Sequence, residues 1–211
     1  MKKVLLIFAI IAFLSSCNQK KVSEKHETTT PETKTETIKE VSKSSNVASK
    51  EFKTKTGKYF IISEEKPSAS ISKITITPKG FTKVNEPMKI EESAPFDYAL
   101  VADINGDGFD ELYIITRGTG SGSYANIYGF SSNKDKSVSQ IYIPELSDDK
   151  FVELFQGYMG HDKFYVDGNK LMRKYPIYKK DDTNANPTGG DKILEYKLKM
   201  GENSWILELK K

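Results

Sequence analysis

Two short stretches hold the residues best placed to do chemistry. "DINGDGFDE" sets oxygen-bearing side chains at alternate positions, Asp103, Asn105 and Asp107, follows them with Gly108, and reaches Glu111 at the ninth position. That is the opening of a calcium loop, in which hard oxygen ligands alternate and a glycine permits a sharp turn. An EF-hand would also want helical flanks and a glutamate at the twelfth position, but that position is Ile114 and the flanks read as strands. Two readings stand. One is a short calcium loop closed by Glu111, as in integrin-like repeats. The other is a β-hairpin turn whose Asn-Gly and Asp-Gly pairs supply positive φ.

The second stretch is "GTGSGSYANIYGF", Gly118 to Phe130. It is not a phosphate-binding P-loop, because no Gly-Lys-Ser/Thr follows, and it lacks the strand–loop–helix setting of a dinucleotide site. Strand-like segments on both sides argue against a free hinge. What remains is a stiff loop presenting Ser121 and Tyr124, with Ser123 between them. Two hydroxyls and an aromatic ring at one tip give contact area and hydrogen bonds at low entropic cost. Gly118, Gly120 and Gly122 let the backbone approach a partner without a Cβ in the way. Arg117, at the base, either pairs with an acidic rim on a partner or is a solvated surface residue.

Catalysis is the weaker expectation. His161 is the one histidine outside the N-terminal segment, and a triad of Ser121, His161 and Asp162 can be drawn on paper. No oxyanion motif accompanies it, so His161 reads as a structural hydrogen-bonding residue. The chain has 1 cysteine and 2 histidines, too few for a Cys/His metal site.

These loops need a scaffold, and the pattern around them is strand-like nearly throughout. "SKITIT" alternates Ile74 and Ile76 against Lys73, Thr75 and Thr77, and "KILEYKLKM" alternates Leu194, Tyr196, Leu198 and Met200 against Glu195, Lys197 and Lys199. "SWILELKK" places Trp205, Leu207 and Leu209 on one side. Such period-two alternation marks strands with one buried face. "YALVADI" and "ELYIIT" are more continuously apolar, as central strands are. "SDDKFVELFQG" is the single helical candidate, capped by Ser147 and ended by Gly157. The expectation is an antiparallel all-β sandwich or flattened barrel of about eight to ten strands with one short helix, spanning residues 51–211.

The N-terminal part reads differently. Lys2 and Lys3 precede an apolar run from Val4 to Leu14, too short to cross a bilayer at roughly 20 residues. "LSSC" follows, so residues 1–16 read as a lipoprotein signal and Cys17 as the acylated first residue of the mature chain. Residues 17–50 hold no aromatics and no apolar period, the composition of a disordered tether. The formal charge is +3, of which Lys2 and Lys3 supply two, and a near-neutral mature chain has no basic footprint for nucleic acid. Asn18 after Cys17 is not the inner-membrane retention aspartate, so the expected location is the outer membrane.

Taken in order, "VADINGDGFDELYI", "GSGSY", "IPELSD", "GYMGHDKF", "YPIYKKDDTNANPTGG" and "ILEYKL" resemble the periplasmic inhibitors of invertebrate-type (i-type) lysozyme. The likeness covers roughly Val84 to Leu209. It implies a secreted β-sheet protein without catalytic activity whose partner is an i-type lysozyme. It also implies that the family's Ser-Gly-x-Tyr signature, here Ser121, Gly122, Ser123 and Tyr124, plugs the lysozyme cleft, with Ser121 and Tyr124 as the inhibitory side chains. No cofactor is implied. A calcium-dependent binding or adhesion module built on Asp103, Asn105, Asp107 and Glu111 is the competing expectation.

Overall fold

The structure, a computed structural model, describes residues 48–145 and 152–210. Among these residues the chain forms twelve strands in three antiparallel four-stranded sheets. The first sheet is a meander of β1 (Ser49–Lys53), β2 (Tyr59–Glu65), β3 (Ser72–Lys79) and β4 (Met88–Ser93). The second runs β5 (Phe96–Ala102), β6 (Glu111–Arg117), β7 (Ala125–Ser132) and β8 (Val138–Ile141). The third holds β9 (Lys163–Asp167), β10 (Lys170–Pro176), β11 (Asp191–Met200) and β12 (Trp205–Leu209).

The middle sheet is covered on both faces, and β6 shows why it must be. Leu112 and Ile114 pack with Phe60, Ile62, Ile74 and Ile76 of the first sheet, while Tyr113 and Ile115 pack with Phe164, Leu171, Tyr196 and Leu207 of the third. A strand buried on both faces loses the polar alternation of a one-sided strand, hence the near-continuous run "ELYIIT". Every residue from Glu111 to Thr116 is buried.

The all-β expectation holds, with three layers of sheet and twelve strands where about eight to ten strands were expected. The surplus comes largely from strands with little periodic signal. β1 is an edge strand whose only partly buried residue is Phe52, so its pairing with β2 is not written in alternation. β1 also begins at Ser49, two residues ahead of the domain start expected at 51. Ile74, Ile76, Leu194, Tyr196 and Leu198 are buried as their spacing requires, but Met200 sits at the exposed end of β11.

The second and third sheets are joined at both edges, giving them the character of a flattened barrel. The Tyr142 N–H donates to the Trp205 carbonyl (2.8 Å) and the Leu207 N–H to the Tyr142 carbonyl (2.9 Å). At the other edge the Tyr98 hydroxyl donates to the Phe164 carbonyl and accepts from the Phe164 N–H, both at 2.8 Å. Of the helical candidate, the described part holds a 3-10 turn, Glu153–Phe155, with Gly157 in the left-handed region after it (φ 76°). Its expected cap, Ser147, lies outside the described residues, as do Cys17, the expected signal segment and the expected tether as far as Val47. Among the described residues no helix is long and apolar enough to cross a membrane.

Candidate functional site

The loop from Gly118 to Tyr124 closes the β6–β7 hairpin. The Gly118 N–H donates to the Tyr124 carbonyl and the Ser123 N–H to the Gly120 carbonyl, each at 2.9 Å. Ser123 itself takes a positive φ of 46°. Two local bonds would not hold so glycine-rich a segment, and the rest of the bracing comes from elsewhere in the chain. The His161 N–H donates to the Gly122 carbonyl (2.8 Å), and the Asn184 side-chain amide donates to the Ser121 carbonyl (2.7 Å).

Close backbone approach explains Gly122 and Gly160, whereas a Cβ on Gly118 would meet nothing nearer than 3.6 Å and one on Gly120 nothing within 4 Å. A Cβ on Gly160 would overlap the Gly122 carbonyl, and Gly160 also adopts a φ of 93°. A Cβ on Gly122 would overlap the Tyr124 ring and come within 3.1 Å of the Met159 carbonyl. The Tyr124 ring thus lies close to the backbone at Gly122 and Gly160 and meets Tyr158 edge-on, with ring centroids 5.5 Å apart. It still leaves 48% of its surface exposed, and Ser121 is exposed beside it.

Arg117 supports the loop from below. Its guanidinium donates to Asp97 (2.6 Å), to the Ser123 carbonyl (2.9 Å) and to the Asp162 carbonyl (3.0 Å). With three acceptors inside the molecule its guanidinium is tied to its own chain, although the side chain stays partly exposed.

Asp162 is the hub beneath the loop. One carboxylate oxygen accepts the Ala125 N–H (2.9 Å), and the other accepts the Tyr158 hydroxyl (2.9 Å) and the Arg173 Nε–H (2.8 Å). Both charged side chains are buried, so the pair compensates two charges that would be costly alone. Arg173 is ringed by Phe155, Tyr158, Phe164 and Tyr175, each centroid between 5.1 and 5.8 Å from the guanidinium carbon. Aromatic faces attract a desolvated cation, which adds to the pairing. Burial pushes the Arg173 pKa down, but Tyr196, Asp162 and Tyr158 outweigh it and raise it.

These contacts dissolve the paper triad. Asp162 serves Arg173, Tyr158 and Ala125, while the His161 ring pairs through Nε2 with the Asn184 side-chain oxygen (3.1 Å). His161 thus bonds the Gly122 carbonyl through its backbone and Asn184 through its ring.

Tyr158, Gly160, Arg173 and Asn184 were not singled out from the sequence, and only Arg173 left a signal. "KLMRKYP" places it in register with Leu171 and Tyr175, an arginine on an inward face of a strand.

The Asp103–Glu111 turn closes the other end of β6, as the β5–β6 hairpin. Asp103 accepts the backbone N–H groups of Gly106 (2.7 Å), Asp107 (3.1 Å) and Gly108 (2.9 Å). Asn105 accepts the Asp107 N–H (2.8 Å), and Asp107 accepts the Phe109 N–H (2.9 Å). The Lys55 ammonium reaches Asp103 at 2.5 Å. Burial, and after it the charges of Asp107, Asp103 and Asp110, push the Glu111 carboxyl up to about 8 against the pull of the Ile104 N–H. The structure therefore brings Asp103, Asp107 and Glu111 together, and keeps them at the far end of β6 from Ser121 and Tyr124, a span of about 20 Å for a seven-residue strand.

Comparison of the chain with protein-family models, with curated proteins and with solved structures finds no match.

Proposed function

We propose that this protein is an inhibitor of i-type lysozyme that inserts the Ser121–Tyr124 loop into the enzyme's cleft, tethered to the outer membrane through a lipid on Cys17. The observation that carries the reading is a hairpin loop braced by the Arg117 guanidinium at its base and by two distant residues, His161 and Asn184, with an exposed serine and a half-exposed tyrosine on it. A loop already ordered forfeits little conformational entropy when it docks. Glycosidases of this kind cut with two carboxyl groups, one acting as proton donor. A hydroxyl both donates and accepts, so Ser121 and Tyr124 satisfy a carboxyl group in either protonation state. The Tyr124 ring fills a sugar subsite, and the loop offers no glycosidic bond to cut. The same face continues into an open groove of about 980 Å³ between the second and third sheets, lined by Tyr124, Tyr128 and Tyr142 among others, which extends the surface available to a partner.

The test is a cell-wall lysis assay with purified i-type, chicken-type and goose-type lysozymes. Tyr124→Phe and Ser121→Ala should each weaken inhibition of the i-type enzyme by about 1–3 kcal/mol, roughly 5- to 150-fold. If both variants stay folded and inhibit as well as the parent, the loop is not the plug.

A further inference from the structure

We propose that the Asp103–Glu111 turn is a calcium site with a structural role, separate from the lysozyme-binding loop and independent of that reading. The turn's sequence is ambiguous, because the same Asn-Gly-Asp-Gly string makes a plain hairpin. Glu111 decides between the two. Its side chain is fully buried at the start of β6, one carboxylate oxygen accepts the Ile104 N–H (3.0 Å), and the other, Oε1, is buried without a hydrogen-bond partner among the described residues. A buried polar atom left unsatisfied is costly, and native proteins rarely carry one without a reason. A plain hairpin turn has no need of a buried glutamate at this place.

The geometry around Glu111 suits a divalent cation. Carboxylate oxygens of Asp103, Asp107 and Glu111 all lie within 4.8 Å of one another. Two oxygens that share a calcium ion at about 2.3–2.6 Å stand at most about 5 Å apart. Asn105 adds a side-chain oxygen at the third position, and Phe109, at the seventh, stands where such loops supply a backbone carbonyl. The ligands are held in advance, since the backbone N–H groups of Gly106, Asp107, Gly108 and Phe109 already orient Asp103 and Asp107.

Charge points the same way. Three aspartates, Asp103, Asp107 and Asp110, face one nearby ammonium, that of Lys55. Lys55 reaches Asp103 and, at 4.0 Å, Asp110, while Glu111 Oε1 stays unpartnered. Lys55 is therefore a built-in competitor: calcium must displace its half-exposed side chain from Asp103. The role is structural because the turn joins two sheets. The Lys55 backbone N–H, just beyond β1, donates to the buried Asp110 (2.5 Å), and Ile104 within the turn belongs to the core between the second and third sheets. Oxygen-only ligands and a flexible turn favour calcium over magnesium, which wants a tighter octahedron.

The experiment is calorimetric and thermal titration of the chelator-treated protein with calcium chloride, and with magnesium chloride as control. One calcium should bind with an affinity of about 10⁻⁴–10⁻³ M, the range of extracellular modules. At saturation near a hundredfold excess, Tm should rise by about 5–10 °C, and magnesium should give far less. Asp107→Asn, at an exposed position that leaves folding intact, should weaken calcium binding about tenfold or more, and Glu111→Gln should abolish the Tm response. Lys55→Gln should tighten binding. Chelation below the unfolding temperature should leave lysozyme inhibition unchanged, so a failure of this proposal and a failure of the inhibitor reading are told apart. No heat and no Tm shift in the parent protein up to roughly 10 mM calcium, a hundred times the tighter expected constant, overturns the proposal, as does an Asp107→Asn variant that responds like the parent.

Discussion

The two loops at the ends of β6 are both rich in glycine and both close a hairpin, yet they are held by different means. The Asp103–Glu111 turn is largely organised from within, by its own side chains bonding backbone N–H groups two to five residues on. The Gly118–Tyr124 loop has two backbone bonds of its own and one from the adjoining Arg117 guanidinium, and it draws two more from distant segments, through the His161 N–H and the Asn184 amide. Their electrostatics differ as well. Beneath the glycine loop, Asp162 and Arg173 form a closed, fully bonded pair. In the acidic turn four carboxyl groups outnumber one lysine, and a buried oxygen is left over. The charges beneath the glycine loop are matched internally, as the inhibitor reading wants of a loop that stays in place, whereas the acidic turn leaves the buried oxygen that the proposed calcium would take up.

The largest break in that contrast should come from the ion pair. Arg173→Met leaves Asp162 buried without its counter-charge and should cost about 3–5 kcal/mol, read by urea denaturation. The double variant with Asp162→Asn should recover part of the loss, since the stranded charge is then gone. Little or no destabilisation by the single variant would mean that the pair is not what fixes the floor of the loop.

Gly160→Ala should come next. It combines a left-handed φ with a Cβ directed at the Gly122 carbonyl, so the loop must shift. Overpacking of this kind costs about 1–3 kcal/mol, and the displacement should appear as weaker lysozyme inhibition with the β-sheet circular dichroism signal kept. Unimpaired inhibition would show that the position of the loop is not critical.

Asn184→Ala is the mildest. It removes one bond to the Ser121 carbonyl and one to the His161 ring in an exposed setting. A loss of about 0.5–1.5 kcal/mol in inhibition is expected, roughly 2- to 12-fold, with Tm nearly unmoved. A large drop in Tm would instead make Asn184 part of the fold's foundation and sharpen the difference between the two loops.

What the sequence determined by itself is the local part. Alternation wrote the buried faces of β3, β11 and β12, and the doubly apolar run of β6 marked it as central, because a strand's period-two geometry turns neighbouring residues directly into faces. The Asp-x-Asn-x-Asp-Gly spacing likewise located the acidic turn, whose hydrogen bonds close within a few residues. Tertiary structure alone decided the rest. That β6 is covered on both faces by two further sheets, that Gly160 touches Gly122, that Asn184 holds Ser121, and that Asp162 answers to Arg173 and not to His161 are all contacts between residues far apart in the chain. Such contacts depend on how sheets stack and where loops meet, and no spacing along the sequence encodes them. The unpartnered oxygen of Glu111 belongs to the same class, since only the packed core shows that nothing in the described residues reaches it.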